Sequence, residues 1–150
     1  MIGVDKIKVL GLPLVGIDWD VFDAIPCDQR RHLIIMYGTN AAFSLSGRHV
    51  ERLAWISPRY GDKINFGMRH DYTTGQALWE LTLCPASLLR PNNLQPVTSS
   101  AEFLRALDVV REEMGANGLL LSPDVTETAR ISYFEINTTY SLDQPYIAYR

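Results

Sequence analysis

Carboxylate, imidazole and phenol side chains are the groups in this sequence that can do chemistry on a phosphate. Glu135 lies inside the apolar stretch ISYFEIN, and four tyrosines occur between residues 133 and 149. A tyrosine attacks phosphorus well only when a metal ion polarises the phosphate, and that ion needs several ligands held together. The histidines His32, His49 and His70 stand singly in RRHL, GRHV and MRHD. We therefore predict no catalytic residue, no metal site and no cofactor.

Three roles are open for Glu135: a metal ligand, a partner of an arginine such as Arg130 or Arg69, or a strand carboxylate that faces water. We favour a structural hydrogen-bonding role, because no histidine is spaced to share a metal ion with it. The four tyrosines either include a nucleophile or fill strand faces with their hydroxyls at the surface, and the second use is the commoner one. They are Tyr133, Tyr140, Tyr146 and Tyr149.

Positive charge is concentrated in one part of a chain whose formal net charge is −3. Between residues 30 and 70, seven basic side chains stand against two acidic ones, a net charge of +5. Arginine and lysine neutralise phosphates and release counterions, which supplies most of the non-specific affinity for DNA. Tyr60 and Phe66 are interleaved and would stack on unpaired bases. The alternative is a solvated basic face with its aromatic residues in the core.

The residues predicted to contact DNA include Asn92 and Asn93, which follow Pro91. The alternative role of these two asparagines is to shape a turn. The full set is Arg48, His49, Arg52, Arg59, Lys63, Arg69, Asn92 and Asn93.

Alternating apolar residues predict most of the elements that must position these side chains. The predicted strands are 5–10, 32–38 (a buried strand), 52–58, 63–70, 76–83 and 130–137. In the last of these, Ser132, Phe134 and Ile136 alternate with Ile131, Tyr133 and Glu135. The turn sequences RYGD and DYTTG join the middle three strands into a meander. Residues 84–98 carry three prolines and are predicted to be an ordered loop.

One long helix is predicted over the sequence SSAEFLRALDVVREEMG. Ser99 and Glu102 have the spacing of a capping box, and Gly115 stands where a helix would stop. Phe103, Leu107, Val110 and Met114 recur at helical spacing. We predict a single α+β domain over residues 1–150: a mainly antiparallel sheet, built as a β-meander plus a returning strand, with this helix packed on one face.

No apolar run approaches the roughly 18 residues that span a bilayer, and charged residues interrupt the N-terminal stretch too early for a signal peptide. Cys27 and Cys84 share no metal-binding spacing, so we expect reduced thiols and a cytoplasmic protein.

Four segments are notable for their sequence and order: VDKIKV at 4–9, SLLRPNNL at 87–94, the helix at 100–115 and ARISYFEINTTY at 129–140. Together they resemble the N-terminal half of phage and plasmid replication initiation proteins of the filamentous-phage, rolling-circle type. SLLRPNNL at 87–94 is similar to the family's SLxKxxxGNN loop, and the helix at 100–115 to its aixxLxxxlGi segment. ARISYFEINTTY at 129–140 is similar to AxVtriDvTxnI, with Glu135 at the position of the aspartate. VDKIKV at 4–9 resembles the family's opening strand, iDtikI.

This resemblance implies a DNA-binding protein of a mobile element, acting in the host cytoplasm on single-stranded or hairpin origin DNA. Full-length members nick DNA with a tyrosine and a divalent ion, in many held by a His-x-His pair that is missing here. The catalytic half would follow Arg150, and Mg²⁺ or Mn²⁺ is expected only with it. The chain is therefore expected to bind DNA without nicking it, as a fragment or as a stand-alone relative. An uncovered sheet edge would favour a homodimer.

A second function stays open: a small phage-encoded inhibitor that binds a host defence nuclease, in the manner of anti-CRISPR proteins. Acidic side chains would then mimic the phosphates of a nucleic acid. The residues proposed for this mimicry are Asp18, Asp20, Asp23, Asp28, Glu112 and Glu113.

Overall fold

The fold is seen in a computed structural model, which describes residues 2–28, 33–39, 41, 43–45, 47–91, 95–122 and 129–138. The strands are β1 (Ile2–Leu10), β2 (Leu14–Ile17), β3 (Leu33–Tyr37), β4 (Phe43–Leu45), β5 (Arg48–Ser57), β6 (Gly61–Asp71), β7 (Gln76–Leu83), β8 (Leu119–Leu121) and β9 (Arg130–Thr138). The helices are α1 (Trp19–Ala24), α2 (Pro85–Leu89) and α3 (Ser100–Ala116).

The main sheet has the strand order β3-β5-β6-β7-β1-β9, and β4 pairs with the first residues of β5, Arg48 to Val50. Every pairing in it is antiparallel across the described residues. The strands β5, β6 and β7 form the predicted meander, while β1 lies between β7 and the returning strand β9. The predicted α+β class and mainly antiparallel sheet are confirmed. A second, two-stranded sheet pairs β2 with β8.

One face of the main sheet carries the core. Trp55 of β5, Phe66 of β6 and Leu81 of β7 alternate with exposed or half-buried neighbours, as the period of two requires. Helix α3 packs on this face through residues three or four positions apart, which share one side of a helix. Its buried apolar residues are Ala106, Leu107, Val110 and Met114.

The helical part differs from the sequence prediction in two places. Residues 85–89 form α2 instead of a loop, since Pro85 occupies the first helical turn, where a missing N–H costs nothing. Helix α3 continues through Gly115 and ends at Ala116. Gly118, with φ +80°, lies just after the end of the helix. A Cβ at this position would lie only 2.8 Å from the Asp18 carbonyl oxygen, so the site favours glycine.

The prediction of a buried strand at 32–38 is wrong in its burial. Strand β3 forms, but at one end of the sheet order, where Ile34, Met36 and Tyr37 are exposed.

The alternation predicted for residues 130–137 is also broken. Lys8 pairs with Tyr133 and Val9 with Ile131, so Ser132 is an extra residue in the ladder.

A buried hydrogen bond ties α3 to the end of β5. The Ser57 hydroxyl donates to Glu113 Oε1 at 2.9 Å, and both side chains are buried. The same hydroxyl accepts from the Tyr60 N–H at 2.8 Å, which fixes the turn into β6. The helix and the hairpin are therefore held by one shared group.

A second polar cluster fixes the start of α3. Ser99 caps the helix by accepting from the Glu102 N–H, as the capping pattern predicts. The Glu102 carboxylate accepts from the Thr98 N–H at 3.1 Å and from the Arg90 guanidinium. The Thr98 N–H, followed by Arg90, holds the pKa of Glu102 below its ordinary value of 4.5.

We expect Ser57→Ala to lower the free energy of unfolding by about 1–3 kcal/mol, because it leaves the buried Glu113 oxygen without its donor. Glu113→Gln keeps an acceptor oxygen facing Ser57 and should cost less. Urea unfolding followed by circular dichroism measures both values. Equal losses in the two variants would contradict this assignment.

We expect Glu102→Gln to destabilise the protein at neutral pH and to have little effect in acid. A carboxylate with a depressed folded-state pKa adds stability above its unfolded pKa and loses it as the pH falls through the folded value. The gap between wild type and variant should therefore begin to close below about pH 4.5. Thermal unfolding from pH 7 to pH 3 tests this, and a constant gap would disprove it.

Candidate nucleic-acid interface

The face of the main sheet opposite α3, called here the open face, has none of the described helices on it. Its side chains alternate with the buried ones along each strand, so β5 contributes Arg52 and Ile56, and β6 contributes Asn65 and Arg69. These side chains stand on regular strands and face solvent. Rigid strands position side chains more accurately than loops do.

Arg52 and Arg69 lie directly opposite each other on β5 and β6. Both are exposed, and among the described residues neither makes an ion pair. Like charges in directly opposed strand positions destabilise a sheet. The fold thus holds two cations together without a carboxylate to neutralise them, which is the arrangement that an anionic ligand would complete.

A trough of about 490 Å³ runs from this pair across the open face. Ala54 and Gly67 form its floor, and their small size leaves the backbone accessible. Leu10 and Leu78 supply apolar walls. A shallower depression of about 230 Å³, lined in part by Asn65 and Thr82, adjoins it. The trough is wide and open, which suits an extended ligand better than an enclosed one.

Among the described residues, Glu80 supplies the one carboxylate that lines the trough, and Lys8 partly neutralises it. Lys8 Nζ lies 3.6 Å from Glu80 Oε1 and 5.9 Å from the centre of the Tyr133 ring. The net charge of the trough therefore comes from the arginine pair. Tyr133 is about half exposed at the far end of the open face, where its ring is available for stacking.

The other predicted contact residues of the meander do not join this pair. Arg48 and His49 begin β5, whereas Arg59 follows its end, roughly 30 Å away at 3.3 Å per residue. Arg48 lies over the Tyr37 ring at 5.4 Å, and His49 Nδ1 is 3.0 Å from the Ala41 carbonyl oxygen. The predicted basic cluster is thus spread along the hairpin.

At the far end of the hairpin, the Arg59 guanidinium lies 5.1 Å from the Tyr60 ring centre, and Lys63 is exposed. Phe66 cannot stack on a base as predicted, because it is buried and packs against Trp79 with ring centres 5.8 Å apart.

Some predicted residues lie outside the described part of the chain: His32, Asn92, Asn93, Tyr140, Tyr146 and Tyr149. Glu135 is described, exposed, and pairs across the strand with Lys6. Neither Arg69 nor Arg130 forms an ion pair with it. Within the described ranges, no three histidine, cysteine or acidic side chains come together to hold a metal ion.

The acidic residues predicted to mimic phosphates do not share one surface role. Asp18 caps α1 by accepting from the Val21 N–H at 3.2 Å. Glu112 is exposed, but Glu113 is buried against Ser57. A buried, hydrogen-bonded carboxylate cannot be offered to a partner protein.

The arginine pair could have been found in the sequence. Joining the predicted strands 52–58 and 63–70 symmetrically around the RYGD turn places residue 58 opposite 63, and hence Arg52 opposite Arg69. The contribution of Ser132 to the trough had no such signal, because it depends on the bulge in β9.

In comparisons with known proteins, no family model, no curated protein and no solved structure matches this chain. The described residues include no helix with the length and apolar character needed to cross a membrane. The function must therefore be argued from the open face itself.

We expect Arg69→Gln to raise the free energy of unfolding by about 0.2–1 kcal/mol, because it removes the like charge opposite Arg52. Lys63→Gln on the same strand removes an equal charge without such a neighbour and should change stability by a few tenths of a kcal/mol at most. The gain should shrink as salt screens the repulsion. Urea unfolding at low and high salt measures it, and a loss of stability would refute the repulsion.

Proposed function

We propose that this protein binds single-stranded DNA on the open face of its sheet. The observation that carries this proposal is the unneutralised pair of Arg52 and Arg69 at the head of the trough. Two directly opposed cations on a sheet cost stability, and a bound anion would relieve their repulsion. The phosphate backbone of DNA is such an anion, and its guanidinium contacts are often bidentate.

The shape of the open face favours a single strand over a duplex. Duplex DNA is read by a protruding helix or ribbon that enters a groove, and none of the described elements projects from this face. A single strand lies along a surface, with phosphates on cations and unstacked bases on apolar or aromatic side chains. Leu10 and Leu78 supply such contacts in the trough that the arginine pair lines, and Tyr133 offers its ring at the far end of the open face.

The resemblance to replication initiation proteins supports the same proposal from the sequence side. The resemblance implies a DNA-binding function for the chain, but its matching segments lie at 4–9 and 87–140, outside β5 and β6. The position of the site is therefore proposed from the open face. We propose on the basis of the resemblance that the chain is, or derives from, the DNA-binding part of a phage or plasmid initiator, without the nicking centre.

Binding is tested by the fluorescence anisotropy of a labelled oligothymidylate, titrated over a range of salt concentrations. We expect salt-dependent binding by the wild type. The double variant Arg52→Gln/Arg69→Gln should bind at least tenfold more weakly, with a salt slope smaller by about 1.4 because two phosphate contacts are lost.

Arg105→Gln is the matched control, since it removes one exposed arginine from α3 on the other side of the protein. It should bind like the wild type, whereas Arg69→Gln alone should not. No binding by the wild type, or equal losses in Arg69→Gln and Arg105→Gln, would overturn the proposal. A preference for duplex DNA would overturn the single-strand part of it.

A further inference from the structure

Strand β9 ends the main sheet with an unusually apolar edge. It pairs with β1 on one side, and within the described part of the chain no strand pairs with its other side. Ile131, Phe134 and Ile136 are 55%, 57% and 58% exposed, and Tyr133 is 46% exposed. Natural edge strands usually carry charges or prolines that prevent further pairing. β9 carries a single charge near each end of this segment, Arg130 and Glu135.

The bulge at Ser132 sorts these side chains onto two faces. Ile131 and Phe134 pair with Val9 and Ile7, which are buried on the helix side. Ser132 lines the trough and Tyr133 lies beside Lys8, so both face the open side. Arg130 and Glu135 share the open side, since they pair with Leu10 and Lys6.

We propose that β9 pairs in antiparallel fashion with β9 of a second copy of this chain, about a two-fold axis between Ser132 and Tyr133. In this register Arg130 lies opposite Glu135 of the second copy on the open face. Ile131 lies opposite Phe134 of the second copy on the helix side. Ala129 lies opposite Ile136 of the second copy on that same side. Each contact occurs twice, as two-fold symmetry requires.

The bulge is what makes this register consistent. A two-fold axis perpendicular to a sheet leaves its two faces unchanged, so paired residues must point to the same side. Regular alternation would put residues 130 and 135 on opposite sides of the sheet. The extra residue in β9 shifts one half of the strand and brings Arg130 and Glu135 to the same side.

A second copy is the occupant that this edge fits best. An added strand must offer backbone groups, apolar side chains on the helix side and opposite charges at the two ends, and β9 has all of these. Four half-exposed side chains of this size offer on the order of 400 Å² per copy, about half of what a stable interface needs. The dimer should therefore be weak, and its population should rise with protein concentration.

This inference does not rest on the proposed function. If both hold, the two open faces lie on the same side of one continuous sheet, so a dimer presents two arginine pairs to one DNA strand. Failure of DNA binding would leave the dimer unaffected, and failure of dimerisation would leave the arginine pair of each copy intact.

Sedimentation equilibrium over a wide concentration range tests the dimer through a charge-reversal cycle. Arg130→Glu or Glu135→Arg places like charges opposite each other twice per dimer, and each should weaken association about tenfold. The double variant Arg130→Glu/Glu135→Arg restores both pairs and should dimerise nearly as well as the wild type. Glu112→Arg on α3 is the control and should change nothing.

The register is tested by oxidative cross-linking of Ile131→Cys chains mixed with Phe134→Cys chains, in a background with Cys27 and Cys84 replaced by alanine. The mixture should cross-link faster than either variant alone, because directly opposed residues have close Cβ atoms. A protein that stays monomeric at every concentration would overturn the proposal. A dimer that ignores the charge reversals, or equal cross-linking in all three samples, would overturn it as well.

Discussion

The main sheet is wider than the layer of helices that packs on it. A helix is about 10 Å across and strands are about 4.8 Å apart, so a helix shields about two strands. Helix α3 packs on the middle of one face through Leu107, Val110 and Met114, and α2 contacts β1. Among the described residues, the helices therefore leave the opposite face open and cover neither face of β9. The exposure of the arginine pair and of the apolar edge follows from the small number of strands that one helix can shield.

The position of that helix layer depends on a few polar contacts at its two ends. Ser57 joins Glu113, near the end of α3, to the turn between β5 and β6. Glu102 joins the start of α3 to Arg90, directly after α2. The first contact fixes the end of α3 to the meander, and the second fixes its start to the segment that follows α2. These polar and charged groups thus fix the helix layer behind the sheet without being part of the open face.

The sequence predicted the mainly antiparallel sheet and its long helix because both follow from periodicity. Apolar residues at a spacing of two or of three to four can bury one side only in a strand or in a helix. A symmetric turn at RYGD also implied the opposition of Arg52 and Arg69, although the ladder shifts register near the turn, where Ser57 pairs with Gly61. Proline content misled the prediction for residues 85–89, since a proline in the first turn begins a helix as readily as it ends one.

What the sequence by itself determined is which side chains alternate and which segments turn. Only the tertiary structure decided which alternating face is covered, because burial depends on where α3 packs. It also decided that Ile34 and Met36 are exposed, since the strand that carries them ends the sheet. The extra residue Ser132 appears only once β1 and β9 pair across more than a hundred residues. Periodicity restricts which faces of two distant strands can match, but an extra residue in one strand is defined only by the strand that it pairs with.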